Sequence, residues 1–140
     1  MGLNRFVEAQ DLGGTYAAAL AELRRGRKTS HWMWFVFPQV AGLGRSETAQ
    51  RYAVSGLDEA RAYLADPVLG QRLRESCAVL LELPGSDPDV VFGGIDAVKL
   101  RSSMTLFARA AEVELDRTLF VDVLEKYFDG AEDPATLERL

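Results

Sequence analysis

The chain has 140 residues, 48% hydrophobic and 26% charged, which suits one domain with a core of its own and excludes a disordered polypeptide. The net charge of −5 is uneven, +3 over residues 1–56 and −8 over residues 57–140, and the acidic remainder argues against a long nucleic-acid surface. A lone cysteine, Cys77, excludes an internal disulfide, and no leader-like segment or long apolar span is present, so a cytoplasmic protein that does not cross a membrane is expected.

In chain order, Tyr16, Leu20 and Leu23 recur at helical spacing, and Gly26 is a natural left-handed stop. Arg24, Arg25, Arg27 and Lys28 follow as a basic cluster. They read either as cations at a helix C-terminus or, beside a pocket, as an attraction for phosphate or carboxylate. Ser30-His31-Trp32-Met33-Trp34-Phe35-Val36-Phe37-Pro38-Gln39 holds both tryptophans and the sole histidine. Only residues 32–37 could pass for a strand, and nothing obvious pairs with them. Gly42-Leu43-Gly44-Arg45-Ser46 is a loop in which Ser46 caps the next short helix.

Ser55-Gly56-Leu57-Asp58 has capping-box spacing with Asp in place of Glu. Asp66-Pro67, Asp87-Pro88 and Asp133-Pro134 each mark a helix start, because Asp accepts from first-turn amides and proline lacks an amide there. Leu69, Leu73, Cys77 and Leu80 form one apolar stripe, and Leu100, Met104, Phe107 and Ala111 form another. Leu119, Phe120, Val123, Leu124 and Tyr127 form a third, with Asp122, Glu125 and Lys126 opposite. The pattern predicts an all-α, compact, multihelical single domain of about six helices over residues 1–140, with a tail helix in 129–140.

Trp32, Trp34, Phe35 and Phe37 each offer roughly 150–250 Å² for burial, which accounts for their aromatic character. It does not account for Ser30, His31 and Gln39 around them, whose polar groups need partners when buried. One histidine and no cysteine pair argue against an imidazole or thiolate metal site, so no metal or cofactor is expected. His31 reads as a general-base candidate or as a semi-buried structural histidine. No Gly-x-Ser-x-Gly elbow supports a serine nucleophile. Cys77 lies on an apolar stripe and reads as core.

A second polar strip lies in 93–107. At 100° per residue Asp96, Lys99 and Ser103 share one side of a helix, bordering the face of Leu100, Met104 and Phe107. The bland reading is an Asp96–Lys99 salt bridge; the functional one is a lysine poised at the edge of a pocket.

These two runs, from Arg27 through Gln39 and from Asp96-x-x-Lys99-Leu100-x-Ser102-Ser103-Met104-Thr105-Leu106-Phe107, together with Gly42-Leu43-Gly44 and Ala60-x-x-Tyr63-Leu64, resemble a bacterial family, the domain of unknown function 1810. The resemblance covers about residues 3–128. It implies a compact all-helical domain and no particular activity. Some members carry a name borrowed from a calpain inhibitor, which these residues do not support.

The candidate site therefore draws on both runs. His31, Lys99, Asp96 and Ser103 are the catalytic candidates. Lys28, Ser30, Trp32, Trp34, Phe35 and Gln39 are the ligand-binding candidates. Aromatics beside basic groups suit a small ligand with a flat ring and an anion, such as a nucleotide or an ADP-ribose-like compound, with metal-independent hydrolysis as a conceivable step. The alternative is a non-catalytic module that holds a protein partner through an exposed apolar patch.

Overall fold

The structure, a computed structural model, describes residues 2–140. The helices are α1 (Asn4–Asp11), α2 (Thr15–Arg24), α3 (Met33–Val36), α4 (Glu47–Arg51), α5 (Leu57–Ala65), α6 (Leu69–Glu82), α7 (Pro88–Ala110), α8 (Glu114–Phe128) and α9 (Pro134–Leu137). Six of them have eight residues or more, and among the described residues there is no strand. The stretch over 32–37 is the short α3 with turns either side. An isolated parallel bridge ties Val40 to Val54, with Ala41 N–H on Val54 O and Val54 N–H on Gln39 O, both at 2.8 Å. None of the helices is long and apolar enough to cross a membrane.

Helix α7 is the axis. Its residues from Ser102 to Ala108 are buried, and α5, α8 and α9 pack against it. Helix α6 packs on α2, α5 and α8. The stripes read from the sequence form this core: Leu69, Leu73, Cys77, Leu80, Leu100, Met104, Phe107, Phe120 and Val123 are at most 1% exposed. Close packing shows at Gly70, where a Cβ would overlap the carbonyl oxygen of Leu64.

The Asp-Pro starts work as caps. The Asp87 carboxylate accepts from Asp89 N–H, and that of Asp133 accepts from Thr136 N–H. Asp66 Oδ1 accepts from the amides of Val68 and Leu69, both at 2.9 Å, so the helix begins two residues past the proline. The expected capping box does not form, since the N-cap of α5 is Gly56, with no side-chain cap. Glu59, not Asp58, reaches back to Ser55 N–H at 3.0 Å, because Arg5 holds Glu59 in place at 3.2 Å while Asp58 points into solvent. Lys126 also departs from expectation. Its ammonium bends onto the carbonyls of Leu80, Leu81 and Leu83, and with the Tyr127 hydroxyl on Leu80 O it closes the end of α6.

Candidate functional site

The signature segment is held by a residue outside it. Gly26 adopts φ +75°, so the chain reverses with Gly26 N–H on Leu23 O at 2.9 Å and Arg27 N–H on Glu22 O at 3.1 Å. The reversal draws the next residues past the buried Glu22. Its Oε1 accepts from Thr29 N–H (2.7 Å), Ser30 N–H (3.0 Å) and Trp32 Nε1–H (2.9 Å), and its Oε2 from Ser30 Oγ (2.5 Å). Burial alone would raise the Glu22 pKa. The hydrogen bonds from Ser30, Thr29 and Trp32 outweigh it and hold the carboxyl at about 2. Ser30 and Trp32 are thus members of a structural clasp, with Trp32 1% exposed.

From the clasp the chain reaches α7. Lys28 N–H donates to Val91 O at 2.7 Å. Its Nζ lies 2.8 Å from Asp96 Oδ2 and 5.1 Å from the centre of the Trp32 ring. Lys99 Nζ lies 3.4 Å from Asp96 Oδ1 and 4.5 Å from the centre of the Trp34 ring. The result is a belt of alternating rings and charges, Trp32, Lys28, Asp96, Lys99 and Trp34, that joins the two runs. It depends on a break in α7 at Gly93 (φ 77°, ψ 164°), a conformation reserved for glycine, which separates the carbonyl that Lys28 uses from the helical segment bearing Asp96 and Lys99.

Beside the belt lies an open groove of about 570 Å³. The loop after the signature contributes Gln39, Leu43, Arg45 and Ser46, α7 contributes Ile95, Val98, Lys99 and Ser102, and the C-terminal segment contributes Asp133 and Ala135, with Trp34 in the wall. A smaller pocket of about 120 Å³, which also includes Tyr52, shares Trp34 and Gln39. Gly44 lets this loop lie against α4, since a Cβ there would come 2.5 Å from that of Ala49. Among the described residues no hydrogen bond or ion pair engages the Gln39 amide, the Arg45 guanidinium or the Trp34 Nε1–H. The buried polar side-chain atom without a partner is elsewhere, Ser103 Oγ.

The candidates therefore separate. Trp34, Gln39 and Lys99 line the groove. Asp96 and Lys28 lie behind it in the belt, and Ser30 and Trp32 in the clasp. Phe35 packs edge-on against Tyr52, ring centres 5.2 Å apart, and does not line the groove. His31 is exposed, not semi-buried, and is not among the groove residues. Ser103 is fully buried and its hydroxyl makes no hydrogen bond to Lys99, because one further residue of rotation beyond Ser102 turns it into the core. Ser102 lines the groove in its place.

Glu22 and Asp133 are the residues the sequence reading passed over as site-builders. The signal for Glu22 was a set of donors in Ser30 and Trp32 with no acceptor nearby in sequence. Asp133 was read only as a cap. Its Oδ2 accepts from Ser102 Oγ (2.8 Å), Thr136 N–H (3.2 Å) and Thr136 Oγ1 (2.6 Å), which fixes the C-terminal wall of the groove on α7.

The chain shares this architecture with a protein of known structure. The crystal structure of the conserved hypothetical protein Rv1873 from Mycobacterium tuberculosis matches with a TM-score of 0.91 and 48% identity, over 99% of this chain and 95% of that one. A comparison with curated proteins gave no match. The model of the family described as "Protein of unknown function (DUF1810)" matches residues 1–140, and the chain belongs to that family.

Proposed function

We propose that the protein binds a small anionic molecule carrying a flat ring, of nucleotide type, in the groove beside Trp34. The observation that carries this reading is the set of uncommitted polar groups there. The Gln39 amide, the Arg45 guanidinium and the Trp34 indole N–H have no partner among the described residues. Trp34 and Gln39 are half-buried and Arg45 is exposed, so these groups face the groove and not the core. A groove of this volume falls within the range of about 300–1,000 Å³ typical of small-molecule sites. An anion entering it meets Lys99 and Arg45, and a ring meets Trp34, Leu43 and Val98. The arrangement supports binding more than chemistry. Ser103 is in the core, His31 stands outside, and both Asp96 oxygens face ammonium groups.

The test is a thermal-shift screen of nucleotides and other anionic aromatics. A ligand present at about 100 times its Kd stabilises the folded state by about 2.7 kcal/mol. The shift is expected to vanish in Lys99→Ala and to fall in Arg45→Ala. Shifts that survive both substitutions would place the ligand elsewhere. A second reading, docking of a protein partner, draws on Ile95 and Val98, which are 78% and 61% exposed at the groove. It would gain if no small molecule shifts the melting temperature.

A further inference from the structure

We infer that the ligand carries a vicinal diol, as a ribonucleotide does, and that Asp133 accepts hydrogen bonds from it. The inference rests on the groove reading above and adds to it the chemistry between ring and anion. Asp133 lines the groove that also contains Trp34, Lys99 and Arg45. Its two oxygens are used unequally. Oδ2 takes all three protein donors, from Ser102 and Thr136, which fixes the plane of the carboxylate. Oδ1 receives none among the described residues, and it is not a buried orphan.

A carboxylate that lines this groove with one oxygen free of protein donors, among cations, an amide and apolar walls, sets a condition on the ligand. Any anion drawn in by Lys99 and Arg45 is repelled by Asp133 unless the ligand presents donors there. Two neighbouring hydroxyls do so without adding charge, as where an acidic side chain accepts from a ribose hydroxyl in dinucleotide-binding α/β folds. The Asp133 backbone is equally fixed, with its N–H on Thr105 Oγ1 at 2.9 Å, and Arg101 holds the two preceding carbonyls, of Ala131 (2.8 Å) and Glu132 (2.6 Å). The acceptor is thus preorganised and needs no ligand to place it. A ring with a single anion and no donors would leave this oxygen unmatched. A free aromatic amino acid could offer its ammonium, but it would leave much of the 570 Å³ groove empty.

The experiment is isothermal titration calorimetry of the full chain with adenylate and deoxyadenylate. Adenylate is expected to bind about tenfold more tightly, the loss of one hydroxyl bonded to a charged acceptor. In Asp133→Asn the preference should disappear, and deoxyadenylate should bind more tightly than to the wild type because the repelling charge is gone. Asparagine keeps an oxygen for the α9 cap, and the wild-type comparison stands by itself should the variant fold poorly. Equal affinity of the wild type for both probes overturns the diol assignment and leaves the groove reading intact. Phenylalanine binding where adenylate does not would also overturn it, assigning Asp133 to an ammonium. No heat from any probe, with no thermal shift from any nucleotide, overturns both.

Discussion

Glu22→Gln is the substitution that best isolates what holds the signature in place. Glutamine has the shape of the neutral acid. Its oxygen can keep the amides of Thr29 and Ser30 and the Trp32 indole, and its NH₂ can donate to Ser30 Oγ. Contacts are therefore conserved and only the charge is removed. The cost follows from linkage. The Glu22 carboxyl lies at about 2 in the folded protein against 4.5 for the free side chain. At 1.36 kcal/mol per pH unit, ionised Glu22 adds about 3 kcal/mol of stability.

The sign is that of a depressed acid. The contribution is complete above pH 4.5, falls to about half or less near pH 3, and is gone below pH 2. Urea unfolding followed by tryptophan emission, from pH 3 to 7, measures it on both variants. The gap between wild type and Glu22→Gln should be about 3 kcal/mol at pH 7 and close progressively below pH 4.5. A gap that does not change with pH would refute the claim that charge-assisted acceptance organises the clasp. Glu22→Ala should cost more, since two amides and an indole N–H then lose their acceptor.

Three further outcomes test the packing around the site. Gly70→Ala gains about 1 kcal/mol in helix propensity, yet its Cβ would overlap the Leu64 carbonyl, so the urea midpoint should fall; a rise would show that the backbone gives way. Lys126→Met removes the ammonium from the carbonyls of Leu80, Leu81 and Leu83, and should lower stability by about 1–3 kcal/mol in calorimetry without altering ligand affinity. Cys77 is fully buried and burial pushes its thiol pKa up, so its reaction with a thiol reagent should follow global unfolding; fast labelling of the native protein would contradict this.

The helices were legible because their signals are local. An Asp-Pro pair carries its own cap, and a stripe such as Leu69, Leu73, Cys77 and Leu80 declares its buried face by spacing alone. The residues misread are those whose partner is distant in sequence. Lys126 looks solvent-facing on a helical wheel, and only the end of α6, more than forty residues earlier, turns it inward. Ser103 shares a side with Lys99 on a wheel, but α7 is buried all round from Ser102 to Ala108, and a wheel does not show that. The union of the two runs was anticipated. The Asp96–Lys99 pair follows from helical spacing, but Lys28 as a second cation on Asp96, across the break at Gly93, does not.

The same distinction says where a function of this chain should be sought. An improbable motif invites the view that every polar residue in it serves one site. Here each has a separate task that can be read from its partners. Ser30 and Trp32 satisfy a buried carboxylate, and Lys28 neutralises Asp96, so substituting them disturbs folding first. Trp34, Gln39 and Lys99 differ because part of their bonding capacity faces the groove. Lys99 connects the two groups. It leans on Trp34 and on Asp96, which Lys28 fixes in turn, so an anion that draws Lys99 away must compete with an ion pair at 3.4 Å and with a ring at 4.5 Å. Affinity in the groove is thereby tied to the integrity of the belt. Lys28→Met, outside the groove lining, should leave Asp96 with Lys99 as its one cation, hold Lys99 back and weaken anion binding. Affinity that rises or stays constant in Lys28→Met would uncouple the two runs.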